Sequence, residues 1–218
     1  MDLGCGPGLW LDLLDEITSP NCKLIGIDSD LKSLEEIKKR SHSLGRELDL
    51  IFCDLENEID KIPKSDIILA FNIFPYLNDP LKFLNKLKLR LNENGKIIIR
   101  QYDGGTLRFG PMTNELRFLI DNSLFDSVGA SKEFYHYDMD RVYNIINSSN
   151  FNKKEIEFEI FQKRPPYSKE YLRYFESTIE WNLRYLSQKA RLGLEKWYTE
   201  NFPLNTYFIE VDLVAELS

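Results

Sequence analysis

Apolar and polar positions alternate in blocks along the first hundred residues, and each block has the length of a strand or a helix. Leu24-Ile25-Gly26-Ile27 is a short apolar run closed by Asp28, the pattern of a strand buried on both faces. Asp30 then stands as the cap of a helix from about Leu31 to Arg40, basic in its last turn. Leu50-Ile51-Phe52-Cys53 is a second strand, closed by Asp54, and Asp66 to Asn72 is a third. Asp79-Pro80 is a helix start, with Asp as cap and Pro at the first helical position. Leu81, Leu84, Leu87 and Leu91 share one face of that helix, and Lys82, Lys86 and Arg90 form its solvated side. Asn94-Gly95 ends it, and Lys96 to Arg100 is a fourth strand. Continuous apolar strands separated by helices predict a parallel sheet covered on both faces.

After Arg100 the pattern loosens into a Gly-rich loop over 101–111, then helices from Thr113 to about Phe125 and from Met139 to Ser148. Glu155 to Phe161 alternates with period two, which predicts an antiparallel strand with one wet face. Two aromatic-rich helices, roughly 168–186 and 188–200, precede a last strand over Tyr207 to Ala215. No repeat or long linker divides the chain, so one domain over 1–218 is expected: a cofactor-binding half (1–100), a substrate loop with helices (101–150), and a helical lid (167–200) between the last two strands.

Composition narrows the function. At 43% hydrophobic and 29% charged, 218 residues make an ordinary globular chain. A net charge of −7 argues against a nucleic-acid binder that works by neutralising phosphates. Cys5, Cys22 and Cys53, with His42 and His136, have no metal-ligand spacing, so no metal is expected. Free thiols, an N-terminus without a signal-peptide pattern and no apolar run near the ~20 residues of a membrane span make a cytoplasmic location the expectation, with no membrane partner.

The chemistry concentrates in Asp2-Leu3-Gly4-Cys5-Gly6-Pro7-Gly8, a Gly-rich loop placed before a helix from Leu9 to Ile17. Glycines there let the backbone turn tightly and approach a ligand closely. A lone loop of this spacing also fits a nicotinamide enzyme. The two strand-end acids that follow, Asp28 and Asp54, add weight, because an acid at such a position hydrogen-bonds ribose hydroxyls. With these residues the sequence resembles the class I S-adenosylmethionine-dependent methyltransferases, in their small-molecule branch. The resemblance covers residues 1–100 well and the rest only in plan. It implies a Rossmann-like, mostly parallel sheet with an antiparallel last strand and S-adenosyl-L-methionine as cofactor. It also implies that Asp2, Gly4, Cys5, Gly6 and Gly8 hold the methionine part, that Asp28 with Ser29 holds the ribose, and that Asp54 with Leu55 meets the adenine. Asn72, in Phe71-Asn72-Ile73-Phe74-Pro75-Tyr76, would lie between cofactor and substrate. Many members carry histidines where this chain has Pro75-Tyr76, so no base transfers from them.

Methyl transfer from a sulfonium needs alignment above all, and a general base only where the acceptor must lose a proton. The candidates for that base are Tyr76, Tyr102, Tyr135 and His136. Arg100, Arg108 and Arg117 are the candidates for holding an acidic group on a small acceptor; the plain alternative pairs them with Asp103, Asp121 or Asp126. A protein acceptor, or a module that binds the cofactor without turnover, stands beside this reading. One expectation concerns the start of the chain. The loop begins at Asp2, so the central strand of about five residues that would lead into it is expected to be missing.

Overall fold

The apolar runs of the first hundred residues do form a parallel sheet. A computed structural model of the protein describes residues 1–40, 46–129 and 138–218. Five strands, β1 (Asp2–Leu3), β2 (Leu24–Asp28), β3 (Leu48–Phe52), β4 (Ser65–Phe71) and β5 (Leu91–Tyr102), lie in the order β3-β2-β1-β4-β5. Every neighbour in that run pairs in parallel. The order reverses at β1, and in open sheets of this kind the crevice at the carboxyl ends beside that reversal is where ligands bind.

The central position is filled. Asp2 stands opposite Gly26 on one side and Leu69 on the other, and Leu3 opposite Ile27 and Ala70. The Met1 carbonyl accepts from the Leu69 amide at 2.8 Å, and the Met1 amine donates to the Ile67 carbonyl at 2.8 Å. Of the expected central strand, Asp2 and Leu3 join β2 and β4 at the end where the loop departs.

Four helices flank these strands in sequence: α1 (Leu9–Ile17), α2 (Leu31–Arg40), the single turn α3 (Leu55–Glu58) and α4 (Pro80–Leu87). Alternation along β2 shows both faces covered. Leu24 packs with Leu11, Leu34 and Ile37 of α1 and α2. Ile25 and Ile27 pack instead in the larger core with Phe83, Leu84 and Leu87 of α4 and with Val142 and Ile146 of α6 (Met139–Ser148). The leucine stripe departs from expectation at its end. After Leu87 the chain passes through one 3-10 turn, and Leu91 opens β5 opposite Ser65 rather than closing the helix. An irregularity between Ser65 and Ile67 absorbs the intervening residues, with Asn94 at φ 60°.

The chain divides into two compact units. The first holds Met1–Gln101, Met139–Phe158 and Leu213–Ser218. Helix α6, expected with the substrate loop, thus falls in the same unit as Met1–Gln101. The second unit holds Tyr102–Asp138 and Glu159–Asp212. Among its described residues are β6 (Arg108–Gly110), α5 (Asn114–Gly129), α7 (Lys169–Tyr185) and α8 (Gln188–Asn201). Strand β7 (Lys154–Lys163) pairs with β8 (Tyr207–Leu217), and β6 pairs antiparallel with Tyr207–Ile209 of β8. Ser168 caps α7 and Ser187 caps α8, each accepting from a backbone N–H three residues on. The aromatic stripe of α7 packs inward: Phe175 is fully buried among Phe109, Phe202 and Phe208. Gly193 lets α8 approach α5, where an added Cβ would meet Leu116 at 2.6 Å. No described helix is long and apolar enough to cross a membrane.

Candidate functional site

The Gly-rich loop folds as its glycines allow. Gly4, Gly6 and Gly8 have φ of 63°, 48° and 81°, in the left-handed region that side chains rarely enter. Gly8 caps α1, and its carbonyl takes the Asp12 amide at 3.0 Å. A Cβ on Gly4 would lie 2.7 Å from Ile73 Cγ2, so the loop presses directly on the segment after β4. At Gly6 nothing stands within 4 Å of that direction, which leaves an open cradle.

Asp28 holds the cradle in place. Its Oδ2 accepts from the Gly6 amide at 2.7 Å and its Oδ1 from the Asp30 amide at 2.8 Å. The strand-end acid is therefore both the loop's anchor and, half-buried, a carboxylate that keeps lone pairs for hydroxyls. Ser29 follows it, exposed. Asp30 caps α2 by accepting from the Lys32 amide and the Ser33 hydroxyl.

Asp2 is the electrostatic oddity. Its side chain is 1% exposed, and Oδ2 has no hydrogen-bond partner. Burial pushes its pKa up to about 7; the N-terminal ammonium opposes that shift and Asp28 adds to it. An orphaned buried carboxylate is costly unless a cation or donor meets it. Cys5, next to it, is spoken for by the fold. Its amide bonds the Ile27 carbonyl, its side chain packs with Leu11 and Leu24, and burial beside Asp2 and Asp28 pushes the thiol up to about 12. It lines the loop without being a nucleophile.

Asp54 stands two residues past the end of β3, and its carboxylate caps α3. Oδ1 accepts from the Glu56 and Asn57 amides and Oδ2 from Asn57 Nδ2 at 2.7 Å. Leu55 is half-buried against the main core. After β4, Asn72 turns left-handed at φ 55° and donates its amide to the Arg100 carbonyl at 2.8 Å. A 3-10 turn over Phe74–Tyr76 follows, with Phe74 and Pro75 buried and Tyr76 65% exposed. The loop, Asp28, Asp54 and Asn72 thus all stand at the carboxyl ends of β1 to β4, all in the first unit.

The remaining candidates divide. Arg100 lies on β5 opposite Phe71. Tyr102, half-buried, and the exposed Arg108 on β6 belong to the second unit. Arg117, on α5, is occupied. It donates to the Phe109 carbonyl, stacks over the Phe109 ring and faces Asp121 at 3.8 Å. For Arg117 the plain alternative, internal pairing, is the one the structure shows. His136 and Tyr135 lie outside the described residues. Among the described residues no cluster of His, Cys, Asp and Glu could hold a metal ion.

Sequence reasoning missed two residues that hold the segment after β4. Arg141 of α6 donates to the Leu77 carbonyl at 2.6 Å and the Phe74 carbonyl at 3.3 Å. Glu56 of α3 accepts from Asn78 and Asp79. Their partners lie 22 to 67 residues away, so no local pattern announces them.

The carboxyl edge fits the group that the resemblance implies. S-adenosylmethionine carries cationic centres and a ribose, and the edge offers an orphaned carboxylate, an open glycine cradle and a strand-end acid. Comparison with known proteins agrees. The profile of a family described as Methyltransferase domain matches residues 1–178. A carboxy-S-adenosyl-L-methionine synthase from Histophilus somni is 31% identical over 103 residues, 46% of this chain and 43% of that protein. A ubiquinone biosynthesis O-methyltransferase from Rhodopseudomonas palustris is 27% identical over 99 residues, 45% of this chain and 38% of that protein. The chain thus spans less than half the length of the curated relatives it matches. Among solved structures, the YcgJ protein from Bacillus subtilis superposes over 100% of this chain and 90% of its own, with a TM-score of 0.57 at 12% identity.

Proposed function

The chain belongs to the family described as Methyltransferase domain, and from that premise we propose that it is an S-adenosylmethionine-dependent enzyme whose methyl acceptor is a small molecule. The observation that carries the cofactor's placement is the Gly6 to Asp28 bond beside the orphaned Asp2 carboxylate. Asp2 with Gly4, Cys5, Gly6 and Gly8 would hold the methionyl end, Asp28 and Ser29 the ribose, and Asp54 with Leu55 the adenine. Asn72 would face the acceptor. The cofactor, once bound, supplies a methyl group activated on a sulfonium. What falls to this chain is alignment and exclusion of water, and alignment at its best is worth roughly 7–11 kcal/mol.

The relatives named above support a small acceptor by the words of their names alone. Arg117 is committed to Phe109 and Asp121, so Arg100 and Arg108 stay as the candidates for an acidic group on that acceptor. Tyr76 and Tyr102 are the described candidates for a base. Calorimetry with S-adenosylmethionine and S-adenosylhomocysteine comes first, then label transfer from methyl-tritiated cofactor into metabolite pools and into protein. Label in small molecules supports the proposal. Label in protein alone, or tight binding with no transfer, overturns it. Once the acceptor is found, Arg108→Ala is expected to raise its KM with little change in kcat, and an unchanged KM removes Arg108 from the site.

A further inference from the structure

The segment from Asn72 to Asp79 follows β4 and is held at three places. At its start the Asn72 amide bonds the Arg100 carbonyl. In its middle Arg141 bridges the Phe74 and Leu77 carbonyls. At its end one carboxylate takes three donors: Glu56 Oε1 accepts from the Asn78 amide at 2.7 Å and the Asp79 amide at 2.9 Å, and Oε2 from Asn78 Nδ2 at 2.7 Å. Between these anchors Phe74, Pro75 and Leu77 are buried, and Tyr76 alone turns outward.

Glu56 sits on a helix of a single turn, and that turn hangs from Asp54. The Asp54 carboxylate caps it, and the Asp54 amide donates in return to Glu58 Oε2 at 3.3 Å. The turn therefore carries, at its cap, the acid assigned to the cofactor edge and, two residues on, the carboxylate that grips the segment after β4. Hydrogen bonds thus run without a break from the Asp54 carboxylate through the turn to Asn78 and Asp79.

We propose that Glu56 is a positioning residue that couples the adenosine end of the cofactor site to the acceptor-side segment Asn72–Asp79. Ligand bound at Asp54 holds α3, and through Glu56 it holds the segment that presents Asn72 and Tyr76. This rests on the reading of the carboxyl edge as the cofactor site.

The test uses S-adenosylhomocysteine as probe, with calorimetry and amide hydrogen exchange on the whole chain. In the wild type the probe is expected to slow exchange at Tyr76 to Asp79 by about fivefold or more. In Glu56→Ala it is expected to bind with a dissociation constant about as in the wild type, while its effect on those amides is lost. Glu56→Gln keeps an oxygen for the two backbone donors, and it is expected to restore the effect. Should the alanine variant not fold, Glu56→Asp, which withdraws the carboxylate by one methylene, is read in its place. Coupling that survives in Glu56→Ala or Glu56→Asp, or probe binding that leaves these amides unchanged in the wild type, overturns the proposal. Failure of the wild type to bind the probe at all overturns the cofactor placement instead.

Discussion

Asp2 sets the sharpest expectation at the scale of a single residue. Its folded pKa of about 7 lies above the 3.8 of an ordinary aspartate, with burial as the main cause. The folded state therefore holds this proton more tightly than the unfolded chain. The stabilising difference is complete below about pH 4 and is lost as pH rises through 7. Chemical denaturation should accordingly show stability falling from pH 4 to 7, and Asp2→Asn should flatten that fall. A cationic ligand reverses the preference, because it favours the ionised carboxylate. S-adenosylmethionine should thus bind more tightly as pH rises from about 6 to 8, by at most about tenfold per unit. Calorimetry across that range checks it, and Asp2→Asn should remove most of the slope. What the sequence made legible here is local. The glycines announce tight turns by their own lack of a side chain, and Asp28 announces itself by closing an apolar run. The orphaned state of Asp2 is not local, because it arises from a sheet that closes over the carboxylate.

At the scale of elements, two acids that cap helices separate structural from functional roles. Asp79 caps α4 by accepting from the Lys82 amide at 3.0 Å, and Asp54 caps α3. Asp79→Ala should cost about 1 kcal/mol of unfolding free energy, the usual worth of a cap, and leave cofactor affinity unchanged. Asp54→Ala should cost a similar amount and weaken S-adenosylhomocysteine binding as well. Denaturant midpoints and calorimetry on the two variants decide whether Asp54 does more than cap. The elements themselves were readable where caps and apolar spacing agree, as in Leu31–Arg40 after Asp30 and the start of α4 after Asp79. Leu91 shows where such reading stops. Its spacing continues the leucine stripe of α4, yet pairing with Ser65 claims it for β5. Strand pairing is decided by residues far along the chain, and helical spacing carries no information about it.

At the scale of the whole molecule, the two compact units predict where damage is felt. Phe175 is fully buried in the aromatic core of the second unit, against Phe109, Tyr167, Phe202 and Phe208. Phe175→Ala should cost about 3–5 kcal/mol and lower the thermal midpoint accordingly. The residues assigned to the cofactor all lie in the first unit, so affinity for S-adenosylhomocysteine, measured well below the new midpoint, should stay at its wild-type value. A parallel loss of affinity would place part of that site in the second unit. The division itself was illegible in the sequence, since α6 packs with strands that precede it by more than forty residues and no linker marks the crossing.

The left-handed turn at Asn72 has a consequence for any effort to improve this protein. Glycine meets that geometry at lower conformational cost than asparagine does, so a search guided by thermal resistance would write glycine at 72. The same edit would delete the carboxamide at the edge where the chemistry is expected. Robustness and catalysis thus compete for one codon, and a thermally hardened descendant would report by its loss of turnover which of the two the asparagine serves.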